Sequence, residues 1–186
     1  MKTKQSKRLV IDASVARACG GSQAIHPTSM HCRDFLESVL KICHQVVMTS
    51  EIRDEWDKHQ SRFALEWRKS MVAKRKLIPL KDLPFNQMLW KDLENSATTD
   101  KHRQQIVKDI CLLEAALATD KIVISLDDNT ARKYFSQAAQ QIQSLKDSLK
   151  DIVWVNPDHV EQEQPILWLE QGAPYEQTRT LGLYKS

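Results

Sequence analysis

The run from Asp109 to Asp128, "DICLLEAALATDKIVISLDD", constrains what this chain can fold into more than any other stretch. Its first half is apolar nearly all round, which suits a buried helix. The second half, "KIVIS", is a β-branched strand that follows directly. Leu9-Val10-Ile11 reads as a short buried strand, "QVVMTS" as a second and "DIVWVNP" as the last. Helical spacing fills the gaps. Phe35, Val39, Ile42 and Cys43 predict a helix over roughly 31–44, and a long charged helix is predicted from Ser50, as cap, through Leu77. A third helical region covers 79–108, broken by prolines at "PLKDLPF", and a fourth covers 129–149. Strands alternating with helices predict an α/β fold, its parallel sheet covered on both faces.

A chain of 186 residues is long enough for one domain with a real core. Its 41% hydrophobic and 27% charged content is that of an ordinary globular protein. The formal net charge is only +3, so any signal for nucleic acid has to be local. The N-terminal "MKTKQSKR" is basic, but the apolar Leu9 to Ile11 is too short for a signal peptide core, and no run is long enough to cross a bilayer. Cys19, Cys32, Cys43 and Cys111 show no C-x-x-C spacing, which argues against zinc and for a reduced, cytoplasmic protein. The segment 158–186 contains Trp168, Leu169 and Tyr175 without a clear period, and its role is open.

Acids gather where the predicted strands end. Asp12 closes the first strand, the second leads into Glu51, Asp54 and Glu55, and the third ends in Asp127 and Asp128. Asp109 opens the buried helix before that third strand. Singly, each acid suits a turn or a helix cap. Together they point to one cleft, because ligands of open α/β sheets bind outside the carboxyl ends of the strands. Carboxylates so gathered repel one another unless a cation joins them. Oxygen donors without nearby Cys or His suit Mg²⁺ or Mn²⁺.

At this point the sequence resembles the PIN-domain ribonucleases, including the toxins of VapC-type toxin–antitoxin pairs. The resemblance covers about residues 8–157. It runs through "LVIDAS", "VVMTSEIRDEW", "DICLLEAALATDKIVISLDDNTARKYF", with its Ser125-Leu126-Asp127, and "IVWVNP". It implies a three-layer α/β/α sandwich with a central parallel sheet, and a metal-dependent endoribonuclease that hydrolyses RNA phosphodiester bonds. The catalytic acids it implies are Asp12, Glu55, Asp109 and Asp127, with Asp12, Asp109 and Asp127 holding Mg²⁺ or Mn²⁺ and Ser14 and Ser125 as supporting hydroxyls. A cognate antitoxin and a homodimer are its implied partners.

Rivals stand beside three of these acids. Glu51 shares a helix face with Glu55, Asp128 competes with Asp127, and Glu114 is a weaker rival to Asp109. Arg17, Arg132 and Lys133 are candidate substrate contacts, as is the basic run from Arg62 to Lys76. Trp56, Trp67 and Trp90 are either base-stacking groups or core. The alternative function is a catalytically inactive PIN-like module that binds RNA or protein. A receiver domain or phosphotransferase lacks its expected acids, and there is no G-x-x-x-x-G-K-[ST] loop.

Overall fold

The computed structural model describes residues 6–185; residues 1–5, most of the basic N-terminal stretch, and Ser186 at the end of the chain lie outside the described residues. The β-branched runs form strands β1 (Arg8–Ile11), β2 (Gln45–Met48), β3 (Leu77–Pro79), β4 (Ile122–Ile124) and β5 (Val153–Val155). They make one five-stranded sheet in the order β3-β2-β1-β4-β5, and every neighbouring pair is parallel. Leu9, Val10 and Ile11 are all fully buried, as are Val46, Val47, Val123 and Ile124. Successive strand residues point to opposite faces, so both faces of the sheet are covered. That is why these strands read as apolar runs rather than alternations.

Helices supply the cover. α1 (Ala13–Ala18) leaves β1, and α2 (Pro27–Lys41) crosses to β2. α3 (Ser50–His59) and α4 (Arg62–Ala73) lead to β3, while α5 (Gln87–Ser96) and α6 (Asp100–Leu117) return the chain to β4. A π-helical turn, Asp128–Arg132, then runs into α7 (Lys133–Gln141) and α8 (Gln143–Leu149) before β5. α9 (Val160–Glu163) and α10 (Pro165–Glu170) follow. α2 packs against α4 and α10, and α5 packs against α6 and α8, an arrangement consistent with a three-layer sandwich. Among the described residues no helix is long and apolar enough to cross a membrane.

Three sequence expectations need correction. The long charged helix is two helices. Gln60 and Ser61 are extended, and the Ser61 hydroxyl caps α4 by accepting from the Ala64 amide at 3.1 Å. Charged residues on both sides of Gln60 and Ser61 made the stretch read as one helix. Second, β3 is a fifth strand that the pattern left out. It is a three-residue edge strand ending in Pro79, a residue that edges tolerate because one side of the ladder is unpaired. Third, the buried helix opens at Asp100, capped by the Thr99 hydroxyl, so Asp109 lies in the middle of α6 and not at its start.

The break between α3 and α4 lets Trp56 and Trp67 stack inside the core, ring centroids 5.9 Å apart. Each indole N–H finds a backbone acceptor, Trp56 at the Ile11 carbonyl (2.9 Å) and Trp67 at that of Leu36 (2.6 Å). Both are core residues, unable to stack on a base.

The segment after residue 157 packs on the core. Trp168 is 2% exposed, and Leu169 and Leu181 are fully buried. The Asp158 carboxylate accepts from the Thr28 hydroxyl at 2.8 Å and meets His31 Nδ1 at 2.7 Å, and His44 Nε2 lies 3.0 Å from the Leu169 carbonyl. Thr180 forms an antiparallel bridge to Val153 at the free edge of β5. Trp168→Ala therefore costs about 3–5 kcal/mol in urea unfolding. A loss under about 1 kcal/mol would show that the segment merely rests on the domain.

Candidate active site

The chain leaves β1 for β2 on one side of the sheet and later returns to β4 on the other. The crevice where β1 and β4 lie side by side is the switch point of this topology, where α/β sheets bind ligands. Asp12 and Ser125 directly follow the last residues of those two strands.

Asp12 occupies the N-cap position of α1 but makes no capping bond. Its Oδ2 instead accepts from the Ser14 hydroxyl at 2.5 Å and from the Ser125 hydroxyl at 2.9 Å. Each hydroxyl also accepts an amide from the loop after β4, Leu126 N–H to Ser14 at 3.2 Å and Asp127 N–H to Ser125 at 3.0 Å. The two serines thus bond the end of β1 to the end of β4.

Asp109 stands 3% exposed on α6. Helix-interior amides are already bonded within the helix, so none is free to receive its carboxylate. Burial, then the nearby charge of Asp12, push its pKa up to about 7, with Asp127 adding to the rise and Lys108 and the Gln105 amide opposing it. Gln105, one turn earlier on α6, donates through Nε2 to Asp109 Oδ2 and lies 3.5 Å from Asp127 Oδ2. Asp127 spends its other oxygen on the π-helical turn. Oδ1 accepts from the Thr130 and Ala131 amides at 2.9 and 3.1 Å, and from the Thr130 hydroxyl.

Asp12, Ser14, Glu55 and Asp109 line one cavity of ≈80 Å³, together with Arg17, His59 and Lys108. That volume holds a few waters, not a small organic molecule. The hydrogen bond from Lys58 at 2.8 Å holds the Glu55 carboxyl below the usual range, and His59 Nε2 lies 3.6 Å away. Asp127 does not line this cavity; it joins the group from behind Gln105.

No family model, curated protein or solved structure matches this chain. The functional reading therefore rests on the site's own chemistry.

The rival acids are placed elsewhere. Glu51 turns back on the start of α3, where its own backbone amide and then the Thr49 hydroxyl lower its pKa, and it lines an outer groove. Glu114 accepts from the Asn86 amide at 3.0 Å and lines the same groove. Asp128 is buried, bonded to Asn156 Nδ2 and to Arg132 at 3.1 Å.

Arg132 is a correction. It is 2% exposed, paired with Asp128 and with Glu163 at 2.7 Å, and covered by the Tyr184 ring at 4.2 Å. A guanidinium so enclosed cannot meet a substrate phosphate. Arg17 and Lys133 are exposed, Arg17 at the carboxylate cavity and Lys133 at a neighbouring one. From the Arg62–Lys76 run, no residue lines either cavity. Arg68 and Lys69 pair with Asp57 and Glu66, and Lys76 caps α2 by donating to the Val39, Leu40 and Ile42 carbonyls. Trp90 is half-buried beside Phe85, their ring centroids 5.9 Å apart.

Gln105, Lys108 and His59 are the site residues that sequence reading missed. Gln105 lies four residues before Asp109 and Lys108 directly before it, a pattern that carries meaning once α6 is seen to begin at Asp100.

As for a metal, Asp12, Asp109 and Asp127 offer carboxylate oxygens and none is ion-paired with a described residue. His59 and Cys111, which the sequence reading did not place near the acids, also line the cavity. The carboxylate set fits a hard divalent cation. Among the described residues, however, no three His, Cys, Asp or Glu side chains are drawn close enough to form a closed ligand group. The carboxylates are near enough to raise the Asp109 pKa but are held apart, with Gln105 between two of them.

The raised pKa has a measurable consequence. Folding lifts the Asp109 pKa from the ordinary 3.8 to about 7, so the folded chain binds more protons in that window. Stability contributed through Asp109 is therefore present at acid pH and falls as pH rises through the window. In chelating buffer, Asp109→Asn should match the wild type near ~pH 4 and exceed it by on the order of a few kcal/mol above ~pH 8. Urea titrations across pH read the difference. A gap that does not widen with pH would contradict a buried, uncompensated carboxyl.

Proposed function

We propose that this chain is a divalent-metal-dependent endoribonuclease of the PIN type, the toxin of a toxin–antitoxin pair. The observation that carries the reading is the Asp109 carboxyl, buried at the switch point and crowded by Asp12 and Asp127, with no ion-pair partner among the described residues. Asp12, Asp109 and Asp127 would hold Mg²⁺ or Mn²⁺. When bound, such an ion supplies charge stabilisation at the phosphoryl oxygens and a more acidic water.

The chain's own groups divide the remaining work. Ser14 and Ser125 aim Asp12 by holding its Oδ2, which leaves Oδ1 free of hydrogen bonds from described residues. Glu55 faces the same cavity as a carboxylate kept ionised by Lys58, hence a weak base whose part is to orient the attacking water. Arg17 and Lys108 bring positive charge to a cavity that would otherwise repel a phosphodiester. A small antitoxin, a second copy of the chain and a cytoplasmic setting complete this reading.

The second reading, a PIN-like module that binds RNA or protein without cutting, is favoured by Gln105, whose amide lies between Asp109 and Asp127. Cleavage of a mixed RNA pool with Mn²⁺ or Mg²⁺ titrated in separates the two. The nuclease reading expects metal-dependent products from the wild type. It also expects losses in Asp12→Asn and Asp109→Asn beyond the roughly 10–100-fold that outer-shell changes cost, with both variants folded. Ser125→Ala should lose about 10–100-fold in metal affinity. No products at any metal concentration would leave the binding module.

A further inference from the structure

Gln105 lines a second cavity of ≈180 Å³, together with Lys101, His102, Asn129, Thr130, Lys133 and Tyr134. It contains no carboxylate of its own. The two acids nearest in sequence are engaged elsewhere, Asp100 with Arg103 at 2.9 Å and Asp128 in the buried pair with Arg132. Lys101 comes from the first turn of α6 and Lys133 opens α7, and neither is ion-paired with a described residue. Both lysines line the cavity, one from α6 and one from α7, so an anion held there meets positive charge from two helices.

The walls suit a fixed polar guest. The His102 ring stacks on Tyr134 with centroids 4.6 Å apart. The Tyr134 hydroxyl is anchored at Ser96 (2.7 Å) and at the Leu93 carbonyl (2.9 Å). His102 Nδ1 engages the Thr98 hydroxyl at 3.2 Å, which leaves Nε2 for a ligand. The volume falls below the roughly 300–1,000 Å³ of pockets that take a whole drug-sized molecule. It accommodates a phosphate group rather than a nucleoside.

We propose that the cavity bounded by Lys101, His102 and Lys133 is a phosphate subsite, which holds the phosphodiester next to the one at the carboxylates. The second half of that statement rests on the nuclease reading. The connection is direct, because the wall residues Gln105 and Thr130 are the ones bonded to Asp109 and Asp127. A substrate gripped this way is a strand with at least two successive phosphodiesters. A dinucleoside monophosphate, which has one, engages the carboxylates alone and is a poor substrate.

The test uses the full chain and its Lys101→Gln/Lys133→Gln variant; both positions are exposed, so the variant should fold. Two readouts are taken in chelating buffer: the NMR signals of the His102 ring during titration with inorganic phosphate, and binding of a short single-stranded RNA as salt is varied. The subsite expects a saturable phosphate shift at His102 that the double variant loses. It also expects the slope of log K against log salt to shrink by about 0.7, the value of one phosphate contact on a single strand. A His102 response from a wild type that neither binds nor cuts RNA keeps the phosphate subsite and overturns the nuclease reading. Metal-dependent cleavage by the wild type, without a His102 response and with an unchanged salt slope in the variant, overturns the subsite alone. No His102 response, together with no cleavage by the wild type when Mn²⁺ or Mg²⁺ is supplied, overturns both.

Discussion

Two serine hydroxyls on one carboxylate oxygen hold this site together. Ser14 and Ser125 donate to Asp12 Oδ2 while accepting amides from the loop after β4. The ends of β1 and β4 are thereby fixed to each other at the one place where the sheet topology opens a crevice. Trp56 secures the same point from the other side, its indole N–H on the carbonyl of Ile11, one residue before Asp12. Hydroxyls satisfy a carboxylate without neutralising it, so the negative charge stays available.

Charge that is satisfied but not cancelled shapes everything around it. Asp109 carries a pKa near 7 because its mid-helix position offers no free amides, and burial and Asp12 both oppose its ionisation. Where the chain needs cancelled charge it builds something different. Asp128, Arg132 and Glu163 form a buried ion-paired chain that extends to Arg179, with Tyr184 over the Arg132 guanidinium. Glu163 also accepts from the Asn156 amide at 3.0 Å, so this chain clamps the C-terminal segment over the ends of β4 and β5. Adjacent residues, Asp127 and Asp128, are thus committed to opposite purposes.

Much of this was legible in the sequence, for identifiable reasons. The apolar runs at Leu9–Ile11 and "KIVIS" announce buried strands because both sheet faces are covered. Asp12, Glu55, Asp109 and Asp127 were named as one group; the first three line one cavity and Asp127 does not. Arg132 misled because position alone placed it one turn past Asp127, and a guanidinium looks the same in a sequence whether it faces solvent or Glu163. The cap at Ser61 was missed between two charged segments, and with it the separation of α3 from α4 that lets Trp56 and Trp67 stack.

By itself the sequence determined the alternation of strands and helices, the burial of the central strands and the candidate acids, because these depend on local periodicity and residue type. Tertiary structure alone decided which acids share a cavity, that Gln105 stands between Asp109 and Asp127, and that Lys101 and Lys133 line one cavity. It also decided that the segment beyond residue 157 belongs to the core. The physical reason is that pairing, burial and charge repulsion depend on through-space distance. Residues such as Asp12 and Ser125 are 113 positions apart along the chain and 2.9 Å apart in the fold.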